Sequence, residues 1–284
     1  MTTLTAEITA AAIELANGGR WRTALALVDA ARAEAGTAAD PARRRIALVA
    51  AEVALEQDWW VGTDTAGERI AAAERAGAHG WELDFLRLRK DYLQLIHPAG
   101  GRFQPGPEGK DPDVIADLDG RGERLRATAP GPVEAGWADF YRGVIADNLR
   151  ADRQAAPAHY EAALAAGDGR DDLLAREALR HLGDHDHDHG DHAAALDRWR
   201  RATALGARAG RVTGTLSQQL LLAVLARDAG DEAAAVALAT EVARWAEALG
   251  ATRIRDNATG FLGGADPTAA PITVRETGRP PARA

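Results

Sequence analysis

The amino-acid sequence predicts an all-α protein built as an α-solenoid of about six antiparallel helix pairs. The first observation is its composition: 46% of the 284 residues are hydrophobic but only 5% are aromatic, and the apolar share leans on Ala and Leu, which favour helices. The second is an internal repeat in which a glycine turn joins two helical segments. Repeats of this kind stack side by side, so each pair buries the apolar face of its neighbour.

Four copies of the repeat begin at a turn and continue into a helix. Three turns contain glycine, in "GRWRTALALVDAARAE" (19–34), "GDHAAALDRWRRATAL" (190–205) and "GDEAAAVALATEVARW" (230–245), and the fourth, "ADRQAAPAHYEAALAA" (151–166), has Ala151 instead. In each copy a small residue follows five positions later: Ala24, Ala195, Ala235 and Ala156. These small side chains predict close approach of the paired helices. A bulky residue at Ala195 or Ala202 should overpack its pair and cost about 1–3 kcal/mol.

These residues resemble the tetratricopeptide repeat (TPR). The copy that fits best has small, turn and packing residues where the family has them: Leu182, Gly183, Gly190, Ala195, Trp199 and Ala202. It departs from the family at Asp186 and His192, where aromatic residues are preferred. The resemblance implies a right-handed solenoid, and the long period is similar to that of a bacterial variant of the family found in sensor modules.

The spacing of the turns predicts the remaining helices in order. Ala151 and Gly190 are 39 residues apart, and Gly190 and Gly230 are 40 apart. Steps of 39 and then 40 residues from Gly19 predict turns at Asp58 and near Pro98. The distance from there to Ala151 is longer than one period. A loop rich in Gly and Pro, inserted over 98–110, accounts for the difference. After it, Asp111 and Pro112 should cap and begin the next helix.

The predicted domain organisation is a single TPR-like helical repeat domain over residues 1–262, containing twelve helices. Beyond it, the stretch 263–284 is rich in Pro and Gly and has little apolar periodicity, which predicts a disordered tail.

Composition argues against several classes of function. The net charge of −8 leaves no broad basic surface for nucleic acid or anionic membranes, so neither is an expected partner. The absence of cysteine excludes disulfides, thiolate zinc sites and cysteine nucleophiles. Glu7 and Glu14 interrupt the first apolar run, which does not resemble a signal peptide. We therefore expect a cytoplasmic protein.

The family resemblance implies a binding surface along the concave face of the solenoid. The residues expected there are Tyr141, Asn148, Glu177, Arg180, Asp184, His187, Asp188 and Arg227. Their mixed polarity suits a protein or peptide segment. The predicted function is a non-catalytic scaffold that binds such a segment in its concave groove and needs no cofactor.

A histidine cluster supports a second hypothesis, a metal-binding or metal-responsive protein. In "HLGDHDHDHGDH" (181–192), His181, His185 and His189 are spaced i, i+4 and i+8 on a helix, and His192 follows the turn. Imidazole and carboxylate ligands would suit zinc or nickel. The alternating aspartates point to other faces of the helix, so a solvated polar helix end explains the same residues without a metal.

A third hypothesis is an enzyme on a repeat fold. The sequence contains no P-loop, dinucleotide-binding, nucleophile-elbow or zinc-protease motif, and no paired acid and base is visible from spacing. Catalysis is therefore the weakest of the three expectations.

Overall fold

The structure is a computed structural model that describes residues 3–34, 41–98 and 101–267. Within those ranges the chain forms thirteen α-helices and no strand. The helices are α1 (Thr3–Asn17), α2 (Trp21–Glu34), α3 (Pro41–Val61), α4 (Ala66–Arg75), α5 (Trp81–Ile96), α6 (Pro112–Ala127), α7 (Pro132–Asn148), α8 (Ala156–Gly167), α9 (Asp172–Asp188), α10 (His192–Arg208), α11 (Val212–Asp228), α12 (Glu232–Leu249) and α13 (Thr252–Leu262). The all-α prediction is confirmed, and α13 is one helix more than the twelve expected.

The four turns that define the repeat share one backbone conformation. Gly19, Gly190 and Gly230 have φ of 77°, 79° and 81°, in the left-handed region that glycine enters without strain. Ala151, which replaces glycine in the fourth copy, has φ of 54° and is the one non-glycine residue with positive φ in the described ranges. The repeat therefore holds its turn geometry even where a side chain makes that geometry less favourable.

The predicted turn at Asp58 is wrong. Helix α3 continues to Val61, and Asp58 is buried within its last turn. Its carboxylate accepts hydrogen bonds from the backbone N–H groups of Thr65 and Ala66, at 2.9 and 2.7 Å. These N–H groups at the start of α4 would otherwise lack an acceptor within the helix. Asp58 is a capping residue that reaches across the turn.

The other predicted boundaries agree with the structure. Helix α5 ends at Ile96, two residues before Pro98. Helix α6 begins at Pro112, and the Asp111 carboxylate accepts a hydrogen bond from the backbone of Asp113. The loop between them is held against the end of α7, where the backbone N–H of Gly106 donates to the carbonyl of Asn148 at 2.7 Å. Residues 99 and 100 of this loop and residues 268–284 of the predicted tail lie outside the described residues.

Small residues bring paired helices close together, as the repeat predicts. Ala195 and Ala202 of α10 have no solvent exposure. Gly183 of α9 faces the Trp199 indole so closely that an added Cβ would lie 2.5 Å from its Cδ1 atom. The indole is fully buried, and its Nε1 donates to the carbonyl of Arg180 at 3.0 Å. Close packing and this side-chain-to-backbone hydrogen bond therefore hold α10 against α9.

Neighbouring helices pack against each other along the whole described chain, and the odd-numbered helices form additional contacts. Helix α3 contacts α1 and α5, and α7 contacts α5 and α9. Helix α13 contacts α11 and also returns to α3. One apolar core thus contains residues from both ends of the chain, among them Trp21, Val53, Val224 and Phe261. None of the described helices is long and apolar enough to cross a membrane.

Candidate functional site

A cluster of charged side chains, the junction cluster of Glu56, Arg89 and Arg211, lies where the two ends of the chain meet. Glu56 of α3 accepts hydrogen bonds from Arg89 of α5 at 2.9 Å and from Arg211, which precedes α11, at 3.0 Å. Burial opposes ionisation of Glu56, but the two guanidinium groups outweigh it and lower the pKa of this carboxyl below its usual value. The Glu56 carboxylate therefore links α3 to α5 and to the start of α11.

Most of the remaining donors of the junction cluster are also paired within the protein, except the buried Nε of Arg211. Arg89 donates to Glu52 at 2.6 Å and to the Tyr141 hydroxyl at 3.2 Å, and Arg211 donates to Asn17 at 3.0 Å. Tyr141, predicted to line the groove, is buried, and burial raises its pKa to about 12. It packs edge to face on Phe85, 5.3 Å between ring centroids. Tyr141 therefore belongs to the fold interior.

A second group of charges follows one face of α9. This α9 strip consists of Glu177, Arg180 and Asp184, at spacings that place them on one side of the helix. Their side chains are 19%, 25% and 25% exposed. Residues on the other side of α9, such as Leu179 and Leu182, are buried in the core. The strip is thus a polar surface on a helix that is otherwise anchored by apolar packing.

The charges of the α9 strip are poorly paired. Arg180 lies 3.5 Å from the nearest Asp184 oxygen, which is longer than a charge-assisted hydrogen bond. The second oxygen of Asp184 is buried and has no hydrogen-bond partner among the described residues. Burial, reinforced by the nearby carboxylates of Asp188 and Asp147, raises the pKa of Asp184 to about 6 despite the opposing charge of Arg180. At neutral pH, Asp184 is ionised in unfavourable surroundings.

At the start of the strip, Glu177 forms an ion pair with Arg176. Arg176 is 1% exposed, and its guanidinium donates to the Gly214 carbonyl of α11 at 2.7 Å. Glu177 therefore compensates a buried cation that ties α9 to the next repeat, which leaves Arg180 and Asp184 as the loosely paired members.

The other predicted groove residues form contacts of their own. Asn148 donates to the buried Tyr92 hydroxyl at 2.8 Å. Asp188 lies one helical turn beyond Asp184 on the same side of α9 and forms an ion pair with Arg153. Arg227 lies over the Phe261 ring, 3.6 Å from its centroid, and therefore faces α13. Of the eight predicted groove residues, Tyr141 is buried, whereas Glu177, Arg180, Asp184 and Asp188 share one side of α9.

The four histidines predicted as metal ligands also lie in different surroundings. His181 stacks on Tyr160, 4.9 Å between ring centroids, and the buried His185 bonds through Nε2 to the Asp147 carboxylate at 3.0 Å. His189 is exposed, with Nδ1 2.6 Å from the carbonyl of His185. Because α9 packs on α7 and α8, the first two imidazoles turn into the core, so the four side chains do not form one centre.

A different set of metal-ligating groups does converge. His187, His192 and Asp228 each offer one ligand atom, and these atoms lie within 4.8 Å of one another. This is the one such group of three in the described part of the chain. Sequence spacing assigned His187 to the groove and did not single out Asp228 as a ligand. The available signal was the period: His187 and Asp228 are 41 residues apart, so they end equivalent helices of adjacent repeats.

Comparison with protein-family models, curated proteins and solved structures found no match to this chain.

Proposed function

We propose that this chain is a non-catalytic, TPR-like right-handed solenoid of the cytoplasm that binds a protein segment along the α9 strip. The observation that carries the proposal is the state of Asp184, a largely buried carboxylate with a raised pKa and an oxygen without a partner. Buried polar groups are normally hydrogen-bonded, and leaving one unsatisfied is unfavourable. That oxygen is itself buried, so a bound segment would donate to the exposed part of the carboxylate and so offset the cost of its ionisation.

The chemistry of the strip matches a polypeptide. Backbone N–H groups or a lysine or arginine side chain of the partner would donate to Asp184, and a carbonyl or carboxylate would accept from Arg180. From Glu177 to Asp184 the helix rises about 10 Å at 1.5 Å per residue. An extended segment of roughly three residues covers that length. We therefore expect a short extended segment that carries both donors and acceptors.

Site-specific photo-crosslinking tests the proposal and identifies the segment. A photoreactive residue replaces Glu177 in one variant, and circular dichroism first confirms that this variant folds, because Glu177 pairs with the buried Arg176. As a matched control, the photoreactive residue replaces Arg201, which is on α10 and 55% exposed. After crosslinking in native cytosol, mass spectrometry should find a defined partner peptide attached at position 177 and not at 201.

A synthetic peptide of that sequence then allows the affinity to be measured. Arg180→Glu should weaken binding by about tenfold or more, since a charge-assisted hydrogen bond contributes about 1.5–3 kcal/mol. Arg201→Glu makes the same charge reversal outside the strip and should leave the affinity within about twofold. Equal losses in both variants would mean that only net charge matters, and the proposal would then fail.

A further inference from the structure

We propose that His187, His192 and Asp228 form a zinc-binding site at the edge between two adjacent repeats. The site is separate from the α9 strip and makes no use of Arg180 or Asp184. Its three ligands come from three helices: His187 is the penultimate residue of α9, His192 is the first residue of α10, and Asp228 is the last residue of α11.

The fold brings these residues together through two local features. The turn at Gly190, with φ of 79°, reverses the chain so that the first residue of α10 returns to the end of α9. The His187 and His192 rings consequently lie 5.2 Å apart between centroids, at an interplanar angle of 85°. The repeat then places the end of α11 beside the end of α9, where the Asp228 carboxylate lies 2.8 Å from His187 Nε2.

The distances suit a metal with small adjustments. Zinc binds imidazole nitrogen and carboxylate oxygen at about 2.0–2.2 Å in a tetrahedral arrangement, which places ligand atoms roughly 3.3–3.6 Å apart. The close contact between His187 and Asp228 must open by less than 1 Å, and the atoms farthest apart, within 4.8 Å, must close by about 1 Å. His192 and Asp228 are exposed, so their side chains can move without repacking the core.

Supporting contacts hold His187 in a ligating orientation. Its ring stacks on the buried Trp199 indole, 5.7 Å between centroids and 28° between planes. Its Nδ1 atom lies 3.5 Å from the Asp188 carboxylate, which leaves Nε2 directed at Asp228. At 3.5 Å this contact is too long for a hydrogen bond, so Asp188 supplies negative charge behind the ligating histidine and does not fix its tautomer.

The charge of the site favours a cation. No arginine or lysine forms an ion pair with Asp228 in the described ranges, whereas Asp188, on the other side of His187, is paired with Arg153. Two neutral imidazoles and a carboxylate are a ligand set that zinc accepts, and three protein ligands leave a fourth position for water or a partner's side chain.

Calorimetric titration of Zn²⁺ into the full chain, prepared without a polyhistidine tag and treated with chelator, tests the site. We expect one zinc per chain. His192→Ala should weaken binding at least about 100-fold, because losing a direct ligand exceeds the 10–100-fold typical of supporting residues. His189→Ala is the matched control, since His189 is exposed in the same turn and its Nδ1 contacts a backbone carbonyl. It should change the affinity by no more than about twofold.

Cobalt provides a second readout of the ligand set. Co²⁺ bound at the site should show the visible absorption of tetrahedral cobalt, and both His192→Ala and Asp228→Asn should abolish it. Both positions are exposed, and far-UV circular dichroism should confirm unchanged folding. The absence of stoichiometric zinc binding, or a loss in His189→Ala as large as in His192→Ala, would overturn the assignment. Neither outcome bears on peptide binding at the α9 strip.

Discussion

The junction cluster and the α9 strip are built from the same residue types but differ in how completely their charges are paired. Glu56 has two arginines within 3.0 Å, whereas Arg180 and Asp184 approach no closer than 3.5 Å. The pKa of Glu56 is lowered and that of Asp184 is raised. In the junction cluster, ionisation stabilises the fold. In the α9 strip, ionisation of Asp184 opposes folding.

The largest expected effect is the loss of Glu56. Glu56→Ala leaves Arg89 and Arg211 without a shared carboxylate at a site where Glu56 is only 10% exposed. Breaking a buried ion pair by removing one partner typically costs about 3–5 kcal/mol. Urea unfolding should show a loss of this size. Glu52→Gln, at a residue 36% exposed beside the same Arg89, is the control and should cost less than about 1 kcal/mol.

A smaller loss should follow from disturbing the frame beneath the strip. Gly183→Ala would place a Cβ 2.5 Å from the Trp199 indole and force α9 away from α10. Overpacking of this kind costs about 1–3 kcal/mol, measurable by thermal unfolding. Gly120→Ala, on α6, is the control because the nearest atom to its added Cβ is a flexible arginine end at 3.5 Å. A loss no larger than the control's would show that the α9 and α10 contact is loose.

Asp184→Asn should stabilise the protein, in contrast to Glu56→Ala. The pKa of Asp184 is about 6 in the folded chain and 3.8 for an ordinary aspartate, so the folded state binds the extra proton between these values. Stability of the wild type therefore falls as pH rises from about 4 to about 6 and then stays level. Above pH 6 the asparagine variant should be more stable by about 1–2 kcal/mol, since solvent at the exposed quarter of the side chain reduces the full penalty.

Unfolding midpoints of wild type and Asp184→Asn at a series of pH values check this expectation. The difference between them should grow from pH 4 to pH 6 and remain constant from pH 6 to pH 8. A difference that does not depend on pH would mean that Asp184 is not the titrating group.

The smallest effect belongs to Arg180→Gln. Arg180 and Asp184 are each a quarter exposed and lie 3.5 Å apart, so their pairing should contribute about 0–1 kcal/mol to folding. A loss approaching that of Glu56→Ala would remove the distinction between the two clusters.

The sequence predicted the turns and the helix-packing residues better than the candidate binding sites. Glycine turns and small residues recur locally, so Gly190, Ala195 and Ala202 could be assigned from spacing alone. The return of α13 to α3 could not, because the repeat pattern contains no information about how its two ends meet. Asp58 was misplaced because a fixed period counted from Gly19 does not allow for the length of α3, which continues to Val61.

Spacing along the chain was also not enough to show which histidine side chains lie together. Spacing along α9 grouped His181, His185 and His189, but packing against α7 drew His185 to Asp147. The ligand atoms that do converge include Asp228, which belongs to the next repeat. Predicting that set requires the register between repeats as well as the period within them.

The most direct test of the account combines stability and affinity in one variant. Asp184→Asn and wild type are compared at pH 7.5 by urea unfolding and by fluorescence anisotropy with the segment identified by crosslinking at position 177. We expect the variant to be more stable than wild type by about 1–2 kcal/mol. We also expect it to bind the segment about tenfold more weakly, because the Asp184 charge that opposes folding is the one that the partner contacts. A variant that gains stability and still binds as tightly as wild type would contradict the account.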